Sequence, residues 1–137
     1  MSSSFEQKKR DMIAENEAKY GQEARERYGD EQVDASNAKL MGLSEEAFER
    51  AQRLAVDICA SLEAAVQAGL PPEGAEGQRI AQAHREWITL CWPAYDPQAH
   101  AGLVRMYLDD PRFTAYYDGK QPGCAQFLHD AVLHLLG

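Results

Sequence analysis

Apolar side chains recur every three or four positions along most of the chain, a spacing that places them on one face of an α-helix. The pattern is strongest between Ser44 and Gly69, and it returns over residues 73–92, 97–109 and 124–135. No stretch alternates apolar and polar residues between turn signals, as a half-buried strand does. The pattern therefore predicts an all-α fold.

Capping residues mark the predicted helix boundaries. Ser44 is a favourable N-cap, and two acidic residues follow it at the positive end of the helix dipole. Asp96 and Asp110 each stand before a proline, a pair typical of the N-cap and first position of a helix. Pro93 cannot continue the helix before it. We therefore expect a break at Pro93 and a short, aromatic-rich helix after Asp110.

The apolar faces of these helices make up the predicted core. The helix after Ser44 contributes Phe48, Ala51, Ala55, Ile58, Cys59, Leu62 and Val66. The helix of residues 73–92 contributes Ile80, Ala83, Trp87, Ile88 and Cys91, with His84 on the same side. The last helix contributes Cys124, Phe127, Leu128, Ala131, Val132 and Leu135.

The front third of the chain predicts helices that lack a broad apolar face. Residues 5–28 are rich in good helix formers but poor in large apolar residues. The candidate anchors there are Phe5, Met12, Ile13, Tyr20 and Tyr28. A short helix over residues 31–41 follows. Because a helix without a buried face is marginally stable in water, we expect these front helices to be marginal until another surface covers them.

Composition narrows the class of protein. The 137 residues carry a net charge of -8, which disfavours direct contact with nucleic acid phosphates. The three cysteines form no CxxC pair, which indicates reduced thiols in a cytoplasmic protein. No apolar run is long enough to span a bilayer, and the start has no signal-peptide core. We expect residues 1–4 to be a cloning remnant or a flexible start.

Metal, haem and thiol chemistry each have candidate residues. His84, Cys91 and His100 match no zinc spacing. Cys91 lies about 10 Å along the helix axis from His84, too far for an activating hydrogen bond. Cys124 begins a helix, but a buried thiol on the core face is the favoured interpretation. A haem-binding histidine in an all-α fold stays an alternative. We predict no enzyme activity, no metal and no cofactor.

Seven aromatic residues fall within residues 87–117 and require a different explanation. They are Trp87, Trp92, Tyr95, Tyr107, Phe113, Tyr116 and Tyr117. Some must belong to the core, but such rings also line pockets for flat or apolar ligands, where phenol and indole groups fix the orientation. Periodicity leaves both interpretations open.

Several motifs resemble those of one family. "KYGQEARERYGD" comes first, "HREWI" follows, and "MYLDDPRF" with a later "YYD" is the most specific part. In this order, over about residues 5–136, the chain resembles the TipAS domain, the drug-recognition half of TipA-like regulators of the MerR family. The resemblance implies a globin-like helical fold with a cleft for antibiotics, notably thiopeptides.

The resemblance also implies an organisation. We expect residues 5–41 to form a mobile lid that orders over the ligand, and residues 42–137 to form the helical ligand-binding core. Full-length relatives carry a winged helix-turn-helix and a dimerising coiled coil, so the whole regulator is expected to be a homodimer. This domain itself is expected to contact neither nucleic acid nor membrane.

The chain departs from the family pattern at the positions that allow covalent capture of the ligand. The family's founding member captures thiopeptides through a cysteine whose position matches Gly102 here, and a second cysteine of that segment matches Tyr95. Neither thiol is present, so the resemblance implies reversible binding. The expected ligand-binding residues are Tyr28, His84, Trp87, Trp92, Tyr95, His100, Tyr107, Phe113, Tyr116 and Tyr117.

The expected function is that of a cytoplasmic ligand-sensing effector domain of a MerR-type transcription regulator. A stand-alone protein that confers resistance by sequestering the drug is the alternative.

Overall fold

The computed structural model describes the backbone of residues 2–137 and the side chains of residues 5–26 and 29–137. In this part of the chain the elements are α1 (Ser2–Asn16), α2 (Gln22–Tyr28), α3 (Asp30–Gly42), α4 (Glu45–Gln67), α5 (Ala75–Cys91), α6 (Pro97–Asp109), α7 (Pro111–Asp118) and α8 (Cys124–Leu136). A π-helical turn, Glu17–Gly21, joins α1 to α2. The described backbone contains no strand, so the predicted all-α fold is confirmed. Among the described residues, no helix has both the length and the apolarity needed to cross a membrane.

Helix α8 lies at the centre of the core. It packs against α4, α5, α6 and α7, and its fully buried residues are Cys124, Ala125, Leu128, Ala131 and Val132. The partners that meet it include Leu62 of α4, Ile80 of α5 and Val104 of α6, each at most 1% exposed. Burying one such aliphatic side chain contributes about 1.5–3 kcal/mol. The core therefore lies within α4–α8.

The predicted caps are confirmed. Ser44, Asp96 and Asp110 each accept a hydrogen bond from a backbone N–H in the following turn, at 3.0 to 3.1 Å. A fourth cap was missed by the sequence analysis, because its residue lies seven positions before the backbone that it binds. The Asp118 carboxylate accepts a hydrogen bond at 2.8 Å from Ala125 N–H in the first turn of α8.

The predicted core face of α4 needs correction. Leu54 and Ala65 are buried although the prediction omitted them, whereas Ala55 is only half-buried. Cys59 and Val66 are also half-buried and pack at the margin of the core. The buried positions are Phe48, Ala51, Leu54, Ile58, Leu62 and Ala65. At two places on α4 the buried residue therefore lies one position before the predicted one: Leu54 rather than Ala55, and Ala65 rather than Val66. The partners that cover this face are α5 and α8.

A lysine is the most deeply buried anchor of the front helices. The Lys9 side chain is fully buried, and its Nζ donates to Met41 O at 2.7 Å and to Leu43 O at 2.9 Å. These carbonyls stand at the C-terminal end of α3, where no helical N–H is available to them. Nζ also lies 4.4 Å from the Phe5 ring centroid. Hydropathy gave no reason to select Lys9, so the sequence analysis missed it.

The front helices touch the core through few side chains. At one end the Phe5 ring meets the Phe48 ring edge-on, with centroids 5.3 Å apart. At the other end Arg112 of α7 donates to the Glu23 carboxylate at 2.8 Å and lies 5.5 Å from the Tyr20 ring. Tyr20, a predicted anchor, is 46% exposed.

Arg25 holds the front helices to one another. Its guanidinium donates to Glu17 in the π-helical turn and to Asp30 and Asp34 of α3, the last two at 3.0 Å. This group of charges explains how a segment with few apolar residues keeps a defined shape. The side chains of Tyr28 and of residues 1–4, for which the sequence made predictions, lie outside the described residues.

Candidate functional site

Four side chains from α5, α6 and the loop between them form a continuous hydrogen-bonded series. Tyr95 Oη lies 2.9 Å from His100 Nδ1, and His100 Nε2 lies 2.8 Å from His84 Nδ1. His84 Nε2 in turn lies 3.3 Å from Tyr107 Oη. We call Tyr95, His100, His84 and Tyr107 the relay. It runs from a half-buried tyrosine into the centre of the molecule.

Helical periodicity explains how the relay assembles. His100 and Tyr107 are seven residues apart on α6, so they share its inner face. His84 lies on the buried face of α5, and its ring reaches the side chains of His100 and Tyr107 on α6. Asp96 caps α6, and the turn that it fixes brings Tyr95 back over His100. Each relay side chain is therefore positioned by a helix or a cap that the sequence specifies.

Both relay histidines are neutral at physiological pH. Burial, with a smaller contribution from the neighbouring His100, lowers the pKa of His84 to about 3. Burial, helped by the positive charge of Arg85, lowers the pKa of His100 to about 4. Burial also raises the pKa of the Tyr107 phenol. The relay is therefore an uncharged network in which every imidazole carries one proton.

Aromatic rings surround the inner half of the relay. The Trp87 ring lies 5.6 Å from His84, and the Phe113 ring lies 5.7 Å from Tyr107. The Tyr117 ring approaches Tyr107 to 4.9 Å and is itself buried. Trp87 and Phe113 remain half-buried. The result is an apolar wall of partly accessible rings with a polar interior, the composition of a small-molecule site.

The structure brings most of the predicted site residues together. His84, Trp87, Tyr95, His100, Tyr107, Phe113 and Tyr117 form one contiguous cluster. Tyr116 joins it through an edge contact with Tyr117 but is 62% exposed. Trp92 is half-buried at the end of α5, and the described residues place no ring against it. Tyr28 belongs to the side chains that are not described.

The arrangement leaves no ring nitrogen of His84 or His100 open for haem iron. All four ring nitrogens of His84 and His100 already have protein partners. Within the described residues, no three histidine, cysteine or acidic side chains converge as metal ligands. The geometry of the two histidines is that of a hydrogen-bonded pair.

The thiols are poor nucleophiles. Burial raises the pKa of Cys91 and of Cys124 to about 11, and it also raises the pKa of Cys59. Cys124 is fully buried, so its place at the start of α8 does not activate it. The prediction of a buried thiol on the core face is confirmed. The thiolate form that would attack an electrophile is therefore scarce near neutral pH.

Sequence reasoning selected the relay residues individually but missed their connection. The sequence did contain a signal for this connection. Positions 100 and 107 share one face of a predicted helix, and the preceding predicted helix has a histidine on its apolar face. The second feature it missed is the role of Arg85, an exposed residue next to His84. Its positive charge adds to the lowering of the His100 pKa by burial, and it opposes burial, which raises the pKa of Tyr95.

Comparison with known proteins identifies relatives. The family model described as the TipAS antibiotic-recognition domain matches residues 20–135. The HTH-type transcriptional activator TipA of Streptomyces coelicolor is 32% identical over 117 residues, which is 83% of this chain and 46% of that protein. The HTH-type transcriptional regulator SkgA of Caulobacter vibrioides is 30% identical over 111 residues, 78% of this chain and 44% of that protein. The chain thus spans less than half the length of either regulator.

A solved structure shows the same fold. The TipAS protein from Streptomyces lividans, in a complex with nosiheptide, matches with a TM-score of 0.73 and 30% sequence identity. The match covers 88% of this chain and 85% of that one. The helical architecture is therefore shared.

Proposed function

Since the chain belongs to the TipAS antibiotic-recognition family, we propose that it is the ligand-sensing effector domain of a MerR-type transcription regulator and binds hydrophobic drug-like compounds. Thiopeptides are the first class to test, because the similar TipAS structure contains nosiheptide. The match to that complex over 88% of the chain is the observation that carries the proposal.

The proposed binding surface is the aromatic cluster around the relay. Trp87 and Phe113 supply half-buried apolar area, and Tyr95 supplies a polar group at the edge. Rings that are partly accessible while their neighbours are buried can gain contact area when a ligand arrives. Tyr28, Trp92 and Tyr116 are proposed to contact the ligand from the periphery.

Residues 5–41 are proposed to act as the lid over the core of residues 42–137. Within the described part of this segment, only Lys9 and Gly21 are buried. Its contacts with the core include the Phe5–Phe48 ring pair, the approach of α3 to α5 and the exposed Arg112–Glu23 ion pair. An exposed ion pair contributes about 0–1 kcal/mol. A ligand that covers the apolar side of these helices would stabilise the closed state, which is what a switch requires.

Binding is proposed to be reversible. Gly102 and Tyr95 stand where the resemblance indicates reactive cysteines, and the three thiols of this chain have raised pKa values. Noncovalent contacts would then carry the whole affinity.

The remaining partners are also proposals. The domain would act within a cytoplasmic, homodimeric regulator whose other parts contact DNA. Its own net charge of -8 supports a role that does not involve direct contact with nucleic acid.

Titration of the labelled protein with nosiheptide tests this function. We expect saturable binding by calorimetry, together with shifted or newly dispersed amide resonances for residues 5–41 in a proton–nitrogen correlation spectrum. Dialysis should then return a protein of unmodified mass.

Trp87→Leu should weaken binding at least about tenfold, the equivalent of 1.4 kcal/mol. Val56→Ala, on the exposed face of α4, is the matched control and should bind as the wild type does. A spectrum unchanged at saturating nosiheptide would contradict the proposal.

A further inference from the structure

α1, the π-helical turn and α2 form one continuous helix. The turn Glu17–Gly21 follows α1 directly and α2 follows the turn, and Asn16, Gly21 and Gln22 at the two junctions all have right-handed helical backbone angles. Hydrogen bonds in a π turn span five residues instead of four, and single π turns inside α-helices are frequent at functional sites. The turn therefore changes how α1 and α2 are rotated relative to each other.

This rotation decides whether both halves of the helix can dock. A π turn closes over one more residue than an α turn, and one residue corresponds to about 100° of rotation. Before the turn, Lys9 donates to the carbonyls of Met41 and Leu43. After the turn, Glu23 accepts a hydrogen bond from Arg112 of α7. If the turn were α-helical, α1 would be rotated by about that angle relative to α2, and the helix would not keep both contacts.

One ion pair favours the π-helical register. In an α-helix, Glu17 and Arg25 would lie about 80° apart around the axis, because eight residues exceed two full turns by that angle. A π turn rotates less per residue and brings them closer to one face. Arg25 Nε donates to Glu17 Oε2 at 3.3 Å, and Arg25 Nη2 donates to Glu17 Oε1. From α3, Asn37 donates to the same Glu17 carboxylate at 3.3 Å.

Gly21 leaves room for this ion pair. It is buried, and a Cβ added there would lie 2.2 Å from Glu17 Oε2. Because that oxygen ends a flexible side chain, an alanine methyl group would displace the carboxylate from Arg25 without meeting backbone atoms. At an ordinary helical position, the change from glycine to alanine favours the helix. The absence of a side chain at position 21 thus lets Glu17 and Arg25 pair across it.

We propose that Glu17, Gly21 and Arg25, here called the π-turn cluster, hold the helix in the register that lets both of its halves dock, and that loss of this register releases the lid. The cluster thereby sets the population of the closed lid, and with it the apparent affinity for the ligand. The release of the lid rests on the proposed function, whereas the register does not.

NMR couplings across hydrogen bonds in the free protein test the register. In the wild-type protein, amides in the turn should couple to carbonyls five residues earlier. Gly21→Ala should add couplings to carbonyls four residues earlier, as in an α-helix. Gly42→Ala is the matched control, because a Cβ at this exposed position of α3 meets nothing within 4 Å. Couplings that span four residues throughout the wild-type turn would overturn the inference.

Hydrogen exchange tests whether the cluster acts on both halves of the helix. Gly21→Ala should accelerate exchange about three- to fivefold in α1 and in α2, the upper range for a partly exposed ion pair. Gly42→Ala should not accelerate it. In a Glu17→Ala background no carboxylate remains to be displaced, so adding Gly21→Ala should slow exchange, as alanine does at an ordinary helical site. Equal acceleration in both backgrounds, or acceleration confined to the turn, would contradict the role of the ion pair.

Nosiheptide affinity tests the release of the lid. Gly21→Ala should weaken binding by the same three- to fivefold factor, because fewer molecules have a closed lid. Gly42→Ala should bind as the wild type does. If Gly21→Ala changes the couplings but binds as tightly as Gly42→Ala, the register does not control the lid. If the wild-type protein fails to bind nosiheptide, the proposed function fails for that ligand, and the couplings and exchange rates alone decide the register.

Discussion

Three polar residues are buried among the described side chains, and each is fully bonded. Lys9 has two carbonyl acceptors and lies 3.4 Å from the Glu6 carboxylate, while His84 and His100 bond to each other and to two tyrosines. In the described part of the chain, no buried side-chain nitrogen or oxygen lacks a partner. An unbonded buried polar group costs about 1–3 kcal/mol, so these residues restrict the structure strongly.

The relay histidines make stability depend on pH. Their native pKa values of about 3 and 4 lie below the value of about 6.5 for an unfolded histidine. The unfolded chain therefore binds protons that the native protein does not, and stability is complete above pH 6.5 and is lost as the pH falls. At pH 5 we expect each histidine to cost about 2 kcal/mol of unfolding free energy.

Urea denaturation between pH 7 and pH 5 measures this loss. The window lies above the carboxylates whose pKa is lowered by ion pairs, such as Glu76 and Glu86, so they stay ionised. The variant with His129→Gln and His134→Gln, which removes the two histidines outside the relay, should show the same loss. A free energy of unfolding that does not change between pH 7 and pH 5 would mean that the two relay histidines are not buried and hydrogen-bonded to each other.

Lys9 provides a second prediction at this scale. Lys9→Met keeps the length of the side chain but removes the donors to Met41 O and Leu43 O. We expect a loss of about 1–2 kcal/mol, confined to the front helices. Hydrogen exchange should accelerate for amides in α1 and at the end of α3. The exposed neighbour Arg10→Met is the control, and equal exchange in both variants would show that Lys9 is not an anchor.

At the scale of the elements, two helical glycines respond in opposite ways to an added methyl group. Gly102 is exposed on α6, and a Cβ there meets nothing within 4 Å. Gly77 is buried on α5, and a Cβ there would lie 1.9 Å from the Pro72 carbonyl oxygen. Gly102→Ala should stabilise the protein by about 0.4–1 kcal/mol, since alanine restricts the unfolded chain.

Gly77→Ala should destabilise it by about 1–3 kcal/mol, because backbone rather than a flexible side chain must move. Thermal unfolding of the two variants beside the wild type measures both effects. Two shifts of the same sign would contradict the assigned packing of α5 against the preceding loop.

The elements also show what the sequence could predict. Caps at Ser44, Asp96 and Asp110 are local features, so the helices that follow them were predicted almost to the residue. The exact buried face of α4 was not predicted correctly. Whether Leu54 or Ala55 is buried depends on where α5 and α8 pack against α4, and the local sequence does not contain that information. The relay could not be predicted as a unit, since its residues lie on α5, on α6 and in the loop between them, and they meet only when both helices pack on α8.

At the scale of the whole molecule, the front helices and the core differ in how they are held. The hydrophobic core cluster consists of residues from α4 to α8, and no described residue of α1–α3 belongs to it. The front helices are held by Lys9, by Arg25, by contacts with Phe48 and Arg112, and by the approach of α3 to α5. Exposed ion pairs such as that of Arg112 with Glu23 orient the helices but add little stability.

This difference predicts the behaviour of a shortened chain that begins at Ser44, the cap of α4. It should retain α4–α8 and unfold cooperatively, because it keeps the whole hydrophobic cluster. The cover that it loses lies over Phe48, where α3 meets α5 and at Arg112, and the cover of Phe48 is worth about 2 kcal/mol. It should bind nosiheptide at least tenfold more weakly than the 137-residue chain, because the proposed lid is absent. Circular dichroism during urea unfolding and calorimetry give the two readouts. An unfolded fragment would place the front helices within the cooperative core, whereas a folded fragment with full affinity would contradict the lid. A folded fragment with weakened binding is the outcome that a docked, separable lid requires, since only then can closure over the ligand act as a signal.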